Sequence, residues 1–146
     1  TPRTSSAASD VYKRQRLNRI NEPLLKVHHG GGGWQVYVNS NGKSALTTFE
    51  LVYSSGQWSH VKAHLLTGRT HQIRVHAQFA GYSILGDPKY GQNSLNQSIC
   101  RQLKLKRMAL HASELSLSHP RSGEKLVCRA SLDNPLNSLV DYEEKT

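Results

Sequence analysis

The chain has 146 residues, enough for one domain or part of one, and only 36% of them are apolar. Nineteen Lys and Arg residues against ten Asp and Glu residues give a formal net charge of +9 and a pI near 9.8. This balance favours a polyanionic partner, nucleic acid before an acidic membrane surface, although a solvated positive face would give the same numbers.

Two cysteines, Cys100 and Cys128, are too few and too far apart for a disulfide framework or a zinc site. No apolar run is long enough to span a membrane, and the pattern of a signal peptide is missing. We therefore expect reduced, structural cysteines and a cytoplasmic location.

Residues 1–15, TPRTSSAASDVYKRQ, differ in composition from the rest of the chain. They are rich in Ser, Ala and Thr and have no sustained hydrophobic period. We expect a non-native or disordered leader, with the domain confined to residues 16–146; a genuine disordered arm is the alternative.

The first half of the domain has the pattern of strands. A basic connecting segment, residues 16–29, is interrupted by Pro23, and the four glycines 30–33 form a flexible turn. Strands are expected at residues 34–38, 45–53 and 57–66, linked by turns at 39–42 and 54–56. We expect these three strands to form an antiparallel meander.

The second half mixes helices and strands. A helix should follow the turn at residues 67–68 and end at Gly81, which suits a C-terminal cap. The remaining expectations are an extended piece at 83–85, a tight loop at 86–91, an exposed basic excursion with some helix at 92–106, strands at 108–118 and 125–130, and a short helix after Pro135. The elements predict an α+β fold in which strands dominate.

The start of the central helix concentrates polar side chains. Five of them lie within residues 69–76: Arg69, His71, Gln72, Arg74 and His76. Because the N–H groups at a helix N-terminus already favour anions, we expect a phosphate-bearing ligand. Helical spacing gives Ile73, Ala77 and Ala80 a separate, apolar face.

Four blocks of the sequence resemble motifs of a known protein family. They are PLLK at 23–26 with GKSALTTF at 42–49, LTGRTHQIRVH at 66–76, GYSILGDPKYG at 81–91, and LHA, HP and SGE between 110 and 124. In these blocks the chain resembles the pseudouridine synthases of the ribosomal large subunit, most of all the C type. The likeness covers roughly residues 20 to 135; Tyr82 stands where the family usually has His.

The resemblance implies the C-terminal portion of a pseudouridine synthase catalytic domain. Its fold would be α+β, a mainly antiparallel or mixed sheet with short helices, incomplete at the N-terminus. In this family an aspartate attacks the target nucleotide, so that uracil can detach, rotate and rejoin through carbon. The implied partner is RNA, in particular large-subunit ribosomal RNA, and the implied reaction uses no cofactor and no metal.

The family's nucleophile motif, Arg-Leu-Asp followed closely by Thr-Ser-Gly, does not occur in this chain. Residues 16–19 imitate its first half, but Asn18 stands in the place of the aspartate, and an amide cannot supply the carboxylate. We expect the chain by itself to be inactive. The alternatives are a non-catalytic basic RNA-binding module and, more remotely, a metal-dependent hydrolase built on the eight histidines.

The resemblance also gives roles to single residues. Arg74 matches the arginine that pairs with the catalytic aspartate, and Ile73 matches an apolar residue near the base, although a core isoleucine would look the same. Arg69, His71 and Gln72 would contact phosphate or ribose, or order the loop by hydrogen bonds, with Arg69 the best phosphate candidate.

Other polar residues have structural readings beside functional ones. His76 is expected to bind RNA, and both it and His71 have the alternative of satisfying buried backbone groups. Asp87 is interpreted as ordinary Asp-Pro turn chemistry. The basic residues of 89–107 would steer RNA or form a solvated face.

Overall fold

Seven strands and three helices occupy residues 19–140, the part of the chain that the computed structural model describes. The strands are β1 Arg19–Asn21, β2 Leu24–His28, β3 Trp34–Val38, β4 Leu46–Ser54, β5 Ser59–Leu65, β6 Glu114–Ser118 and β7 Lys125–Arg129. The helices are α1 Gln72–Phe79, α2 Ser94–Gln102 and α3 Leu136–Val140. The leader predicted for residues 1–15 and the near-match at Asn18 lie outside the described residues.

All strand pairs of the described part are antiparallel. They form a three-stranded sheet of order β1-β4-β5 and two hairpins, β2-β3 and β6-β7. The predicted α+β class is confirmed, as are the strands at residues 34–38 and the helix after Pro135.

The predicted meander is wrong. Strand β3 pairs with β2, and the neighbour of β4 besides β5 is β1, so residues 19–28 are two strands rather than a connection. Pro23 lies between these strands, at a position where neither strand pairing requires a backbone N–H donor. Its carbonyl accepts a hydrogen bond from the Asn39 N–H at 3.0 Å. A proline at this position separates two strands that enter different sheets.

Helix α1 packs between the three-stranded sheet and the β2-β3 hairpin. Val75 on one side joins a core of Leu24, Val36, Ala45 and Tyr90. Ala77 on the other joins Ile20 and Phe49, with Ile73 and Ala80 packed against them. The predicted apolar face of this helix is confirmed, and a second apolar contact through Val75 anchors it from the opposite side.

Both ends of α1 are set by backbone geometry. At the C-terminus Gly81 has φ +87°, the Gly81 N–H donates to the Gln78 carbonyl and the Tyr82 N–H to the Ala77 carbonyl. This pair of bonds is a Schellman cap, which confirms the predicted role of Gly81. At the N-terminus the cap residue His71 is left-handed, with φ 54°, and its side chain makes no capping bond.

The last third of the chain is more exposed. The strand expected from residue 108 begins only at Glu114, and every residue of β6 and β7 is exposed. In the excursion at 92–106, α2 is capped at its N-terminus by Asn93, whose side chain accepts from the Asn96 N–H, and Asn96 and Ile99 are buried. None of the helices within residues 19–140 combines the length and apolarity needed to cross a membrane.

Candidate active site

The turn before α1 is built around one amide side chain. Gln72 is 3% exposed; its Oε1 accepts from the Thr67 hydroxyl at 2.7 Å and the Arg69 N–H at 2.9 Å. Its Nε2 donates to the Leu46 carbonyl and the Thr47 hydroxyl oxygen, both at 3.0 Å. All four hydrogen-bonding positions of the amide are therefore used inside the protein. Gln72 fixes the turn to strand β4.

His76 continues this network from the next turn of the helix. It is fully buried, with Nε2 2.9 Å from the Glu22 carbonyl and Nδ1 2.8 Å from the Thr47 hydroxyl. A carbonyl only accepts, so Nε2 carries the proton and Nδ1 accepts from Thr47. Burial lowers the pKa of His76 against the smaller opposing effect of the Glu22 carbonyl. The neutral imidazole of His76 in α1 therefore contacts both Glu22, the residue after β1, and Thr47 in β4.

Arg74 projects from the same helix towards the loop after it. Its Nε donates to Asp87 Oδ2 and its Nη2 to Asp87 Oδ1, each at 2.8 Å. The arginine side chain is 14% exposed and the carboxylate side chain is completely covered. Two parallel, charge-assisted bonds fix both the position and the plane of the guanidinium.

Asp87 also organises its own turn. Its Oδ1 accepts from the N–H groups of Lys89 at 2.9 Å and Tyr90 at 3.0 Å. Burial by itself would raise the pKa of Asp87, but the hydrogen bonds from Arg74, Tyr90 and Lys89 outweigh it, and the net pKa is lowered. The bond to Asp87 in turn raises the pKa of Arg74. The pair stays ionised at neutral pH.

One edge of the guanidinium remains available. Within residues 19–140, Nη1 of Arg74 makes no hydrogen bond, and no buried side-chain nitrogen or oxygen lacks a partner. Nη1 therefore lies at the surface, on the edge opposite Nε. A guanidinium has five donors in a planar fork, so this edge can hold a second carboxylate while Asp87 keeps the first edge.

Three rings extend the site from Arg74, and we call them the aromatic cluster: Tyr90, His71 and Trp34. The Arg74 Cζ lies 5.0 Å from the Tyr90 ring centroid, and His71 Nδ1 lies 3.0 Å from the Tyr90 hydroxyl. His71 lies against Trp34, with ring centroids 4.8 Å apart and planes at 33°. The Tyr90 hydroxyl accepts from the Val36 N–H at 3.1 Å, which ties the cluster to β3.

The electrostatics of the cluster are positive. Burial, followed by the charges of Arg74 and Lys89, lowers the pKa of His71. Burial also raises the pKa of the Tyr90 hydroxyl. At neutral pH His71 is uncharged, so the cationic groups beside the rings are the lysine and arginine side chains.

The structure separates the predicted site residues into two groups. Arg74, His71 and Arg69 reach the surface; Arg69 is exposed, and its Nε donates to the Ser44 carbonyl at 3.0 Å. Gln72 and His76 are buried, and their polar atoms contact groups inside the protein: Gln72 bonds to the turn and to β4, and His76 Nε2 lies 2.9 Å from the Glu22 carbonyl. Ile73 is half-buried and packs against the core with Ala77, as a core isoleucine does.

Three residues contribute to this site although the sequence pattern does not assign them to it: Asp87, Tyr90 and Trp34. The tight loop at 86–91 contains two of them, and its position just after the helix was the available signal. In the basic run, Arg107 is tied to the Asp133 carboxylate and donates to the Leu110 carbonyl at 2.8 Å. Nowhere in residues 19–140 do three His, Cys, Asp or Glu side chains meet in a way that would hold a metal ion.

Comparison with known proteins identifies the class of protein to which this site belongs. Residues 14–79 match the family model described as RNA pseudouridylate synthase. The fold is similar to that of human RNA pseudouridylate synthase domain containing 4, with a TM-score of 0.61 and 23% identity, over 88% of this chain and 56% of that one. The chain belongs to the RNA pseudouridylate synthase family.

Among individual members, the chain is similar to enzymes named ribosomal large subunit pseudouridine synthase C. It is 42% identical over 121 residues to the one from Yersinia pestis, which is 83% of this chain and 38% of that protein. It is 39% identical over 127 residues to the Haemophilus influenzae protein, 87% and 39% of the two chains, and 38% identical over 128 residues to a Buchnera aphidicola protein, 85% and 41%. The matched region thus spans about two fifths of the length of these relatives.

Proposed function

We propose that the chain is the part of an RNA pseudouridine synthase that supplies the active-site arginine and adjoining nucleotide-binding groups, with large-subunit ribosomal RNA as the substrate. One observation carries the proposal. Arg74 is held by Asp87 along one edge of its guanidinium and has its Nη1 edge at the surface, with no hydrogen-bond partner for Nη1 within residues 19–140. An arginine fixed in this way is suited to receive the carboxylate of an aspartate nucleophile.

The reaction requires a carboxylate that stays ionised. In the isomerisation the N1–C1′ bond of uridine breaks and a C5–C1′ bond forms, while the C5 proton leaves and N1 gains a proton. A guanidinium on the aspartate favours its ionised form, and a bidentate contact also sets its direction of attack. Because Asp87 already fixes the plane of Arg74, little side-chain freedom is lost when the second carboxylate binds.

The other residues divide between RNA contact and support. Arg69 and His71 reach the surface, and we propose that they contact phosphate or ribose and that Ile73 lies near the base. Gln72 and His76 support the site by holding the turn and the helix to β4. No cofactor or metal takes part in this proposal, and the location that suits the substrate is the cytoplasm.

We also propose that the 146-residue chain is inactive when taken alone, because the amide of Asn18 cannot act as the carboxylate nucleophile. The test measures tritium release from ribosomal RNA labelled at C5 of uridine. The chain alone should release none. A chimaera, in which residues matched here replace the corresponding part of the Haemophilus influenzae relative, should release tritium.

A second candidate is a non-catalytic RNA-binding module. The observation in its favour is that Asp87 already neutralises Arg74, so the ion pair is complete without a further carboxylate. A folded chimaera that binds ribosomal RNA but releases no tritium would favour this candidate. Tritium release by the chimaera would decide for the enzyme.

A further inference from the structure

We propose that Lys26 and Lys89, arranged around Trp34, form a subsite for the RNA phosphodiester backbone next to Arg74. We call it the lysine subsite. The proposal rests on the proposed function, because it takes RNA as the ligand, and it adds a contact that flanks the reacting uridine.

The two ammonium groups are gathered at one ring. Lys26 Nζ lies 4.0 Å from the Trp34 ring centroid and Lys89 Nζ lies 4.2 Å from it. They come from different elements: Lys26 belongs to β2, while Lys89 belongs to the loop turned by Asp87. The two ammonium groups repel each other because they carry the same charge. Cation–π attraction to the Trp34 ring opposes this repulsion and holds both groups near the ring.

Lys89 is positioned further by a hydrogen bond. Its Nζ donates to the Trp34 carbonyl, which leaves two of its three donors available. No carboxylate of residues 19–140 forms an ion pair with either lysine. The two charges are therefore ordered but not neutralised inside the described part of the chain, as a binding site for an anion requires.

The subsite is continuous with the candidate active site. Trp34 contacts His71, His71 reaches the Tyr90 hydroxyl, and Arg74 lies over the Tyr90 ring. Together Lys26, Lys89 and Arg74 carry three positive charges against the one carboxylate of Asp87. If the uridine of an RNA strand lies at the free edge of Arg74, a neighbouring phosphate of the same strand would lie close to Lys26 and Lys89.

Phosphate contacts have a measurable signature. The logarithm of the RNA affinity falls linearly with the logarithm of the salt concentration, and each contacted phosphate of a single strand contributes a slope of about 0.7. We would measure binding of a single-stranded oligouridylate to the full 146-residue chain over a range of salt. Lys26→Ala and Lys89→Ala should each weaken binding and reduce the slope by about 0.7.

The matched control is Lys125→Ala, which removes the same charge from the exposed strand β7 and should leave the slope as in the parent. Lys26→Arg and Lys89→Arg keep the charge and should restore it. Lysine variants that bind like the Lys125 control would overturn the subsite, and so would a parent chain that does not bind the oligonucleotide.

A second readout uses the ring itself. In a Trp58→Phe background Trp34 is the remaining tryptophan, and oligouridylate should change its fluorescence. The change should disappear in the Lys26→Ala, Lys89→Ala double variant at the same salt concentration. An unchanged emission on saturation with RNA would contradict the proposal, as would lysine-dependent binding of the chain to anionic lipid vesicles in place of RNA.

These results separate the subsite from the proposed function. Lysine-dependent RNA binding together with an inactive chimaera would leave the subsite standing and refute the enzyme. An active chimaera whose RNA binding does not depend on either lysine would support the enzyme and refute the subsite.

Discussion

Arg74 and Asp87, thirteen residues apart, are joined by two parallel hydrogen bonds of 2.8 Å. The same carboxylate accepts from two N–H groups of its own loop, so one residue fixes both the loop and the plane of the guanidinium. The orientation of Arg74 is therefore a property of the fold.

Replacing Asp87 tests this relationship. Asp87→Ala removes both bonds to Arg74 and both acceptor contacts to the loop, and leaves a charge that is 14% exposed without its partner. Breaking such a pair costs about 3–5 kcal/mol, and Asp87→Asn, which keeps a carbonyl for the loop, should cost less. Urea denaturation measures the loss.

The matched control for this experiment is the exposed pair of Arg129 and Glu114. Glu114→Gln should change the free energy of unfolding by about 1 kcal/mol or less, because exposed pairs contribute little. An Asp87→Ala variant as stable as Glu114→Gln would contradict the structural role given to Asp87.

The contact between Arg74 and Asp87 is not encoded in the local sequence pattern. The local pattern at residues 86–91 correctly predicts a tight loop, and Asp87 does cap it. That the loop folds back onto α1 depends on tertiary packing, with Tyr90 buried in the core beside Val75, and no local period encodes such a contact. The helix and its apolar face were predictable because Ile73, Ala77 and Ala80 recur at helical spacing.

The strand pairing failed for a related reason. Strands β1 and β2 are three and five residues long and carry polar residues such as Arg19 and Lys26, so their alternation is weak. Pro23 between them looks like an interruption. Their partners, β4 and β3, are chosen by burial of Ile20 and Leu24 in two different cores, which only the assembled fold decides.

Acid should destabilise the chain in a defined window. The folded protein holds the pKa of His76 below 6.5, mainly by burial, so below pH 6.5 the unfolded chain takes up a proton that the folded chain does not. The free energy of unfolding should therefore fall as the pH drops from about 7 towards the lowered pKa, by at most about 1.4 kcal/mol per pH unit for one group. His71, whose pKa is also lowered, acts in the same direction.

His76→Gln should flatten this dependence, as seen in urea midpoints measured at several pH values. Comparison at about pH 8 isolates the packing loss of the variant, because both imidazoles are then neutral in the folded and unfolded states. A variant with the same slope as the parent would show that His76 is not responsible. The lowered pKa of Asp87 adds a second, more acidic loss, because its stabilisation is present above pH 3.8 and disappears below it.

Gly42 is required by close approach of two backbones. A Cβ at Gly42 would lie 2.4 Å from the carbonyl carbon of Leu24, whose N–H and carbonyl bond to Lys43 at 2.9 Å. Gly42→Ala should cost about 1–3 kcal/mol, because neither backbone segment can move without breaking this bridge. Gly30→Ala, where nothing lies within 4 Å, is the matched control in a thermal melt. Equal melting temperatures for the two variants would show that the close approach to Leu24 does not require glycine at position 42.

The β6-β7 hairpin presents an apolar face to solvent. Leu115, Leu117 and Leu126 lie on one side of it and are 59%, 40% and 39% exposed. We expect the chain to self-associate through this face. Leu115→Lys should lower the mean particle size in light scattering without lowering the melting temperature, while Ser116→Lys on the other face should not change it. Equal particle sizes for the two variants would rule out the leucine face.

The free edge of Arg74 is the feature on which the proposed reaction depends, and a lysine at this position removes it. In the chimaera with the Haemophilus influenzae relative, Arg74→Lys keeps a positive charge but loses the planar fork that contacts two carboxylates at once. Tritium release from C5-labelled ribosomal RNA should fall by about 100-fold or more, because the aspartate is no longer held in its direction of attack, while RNA binding is retained. A folded Arg74→Lys chimaera that releases tritium at the rate of its parent would show that Arg74 does not position the nucleophile.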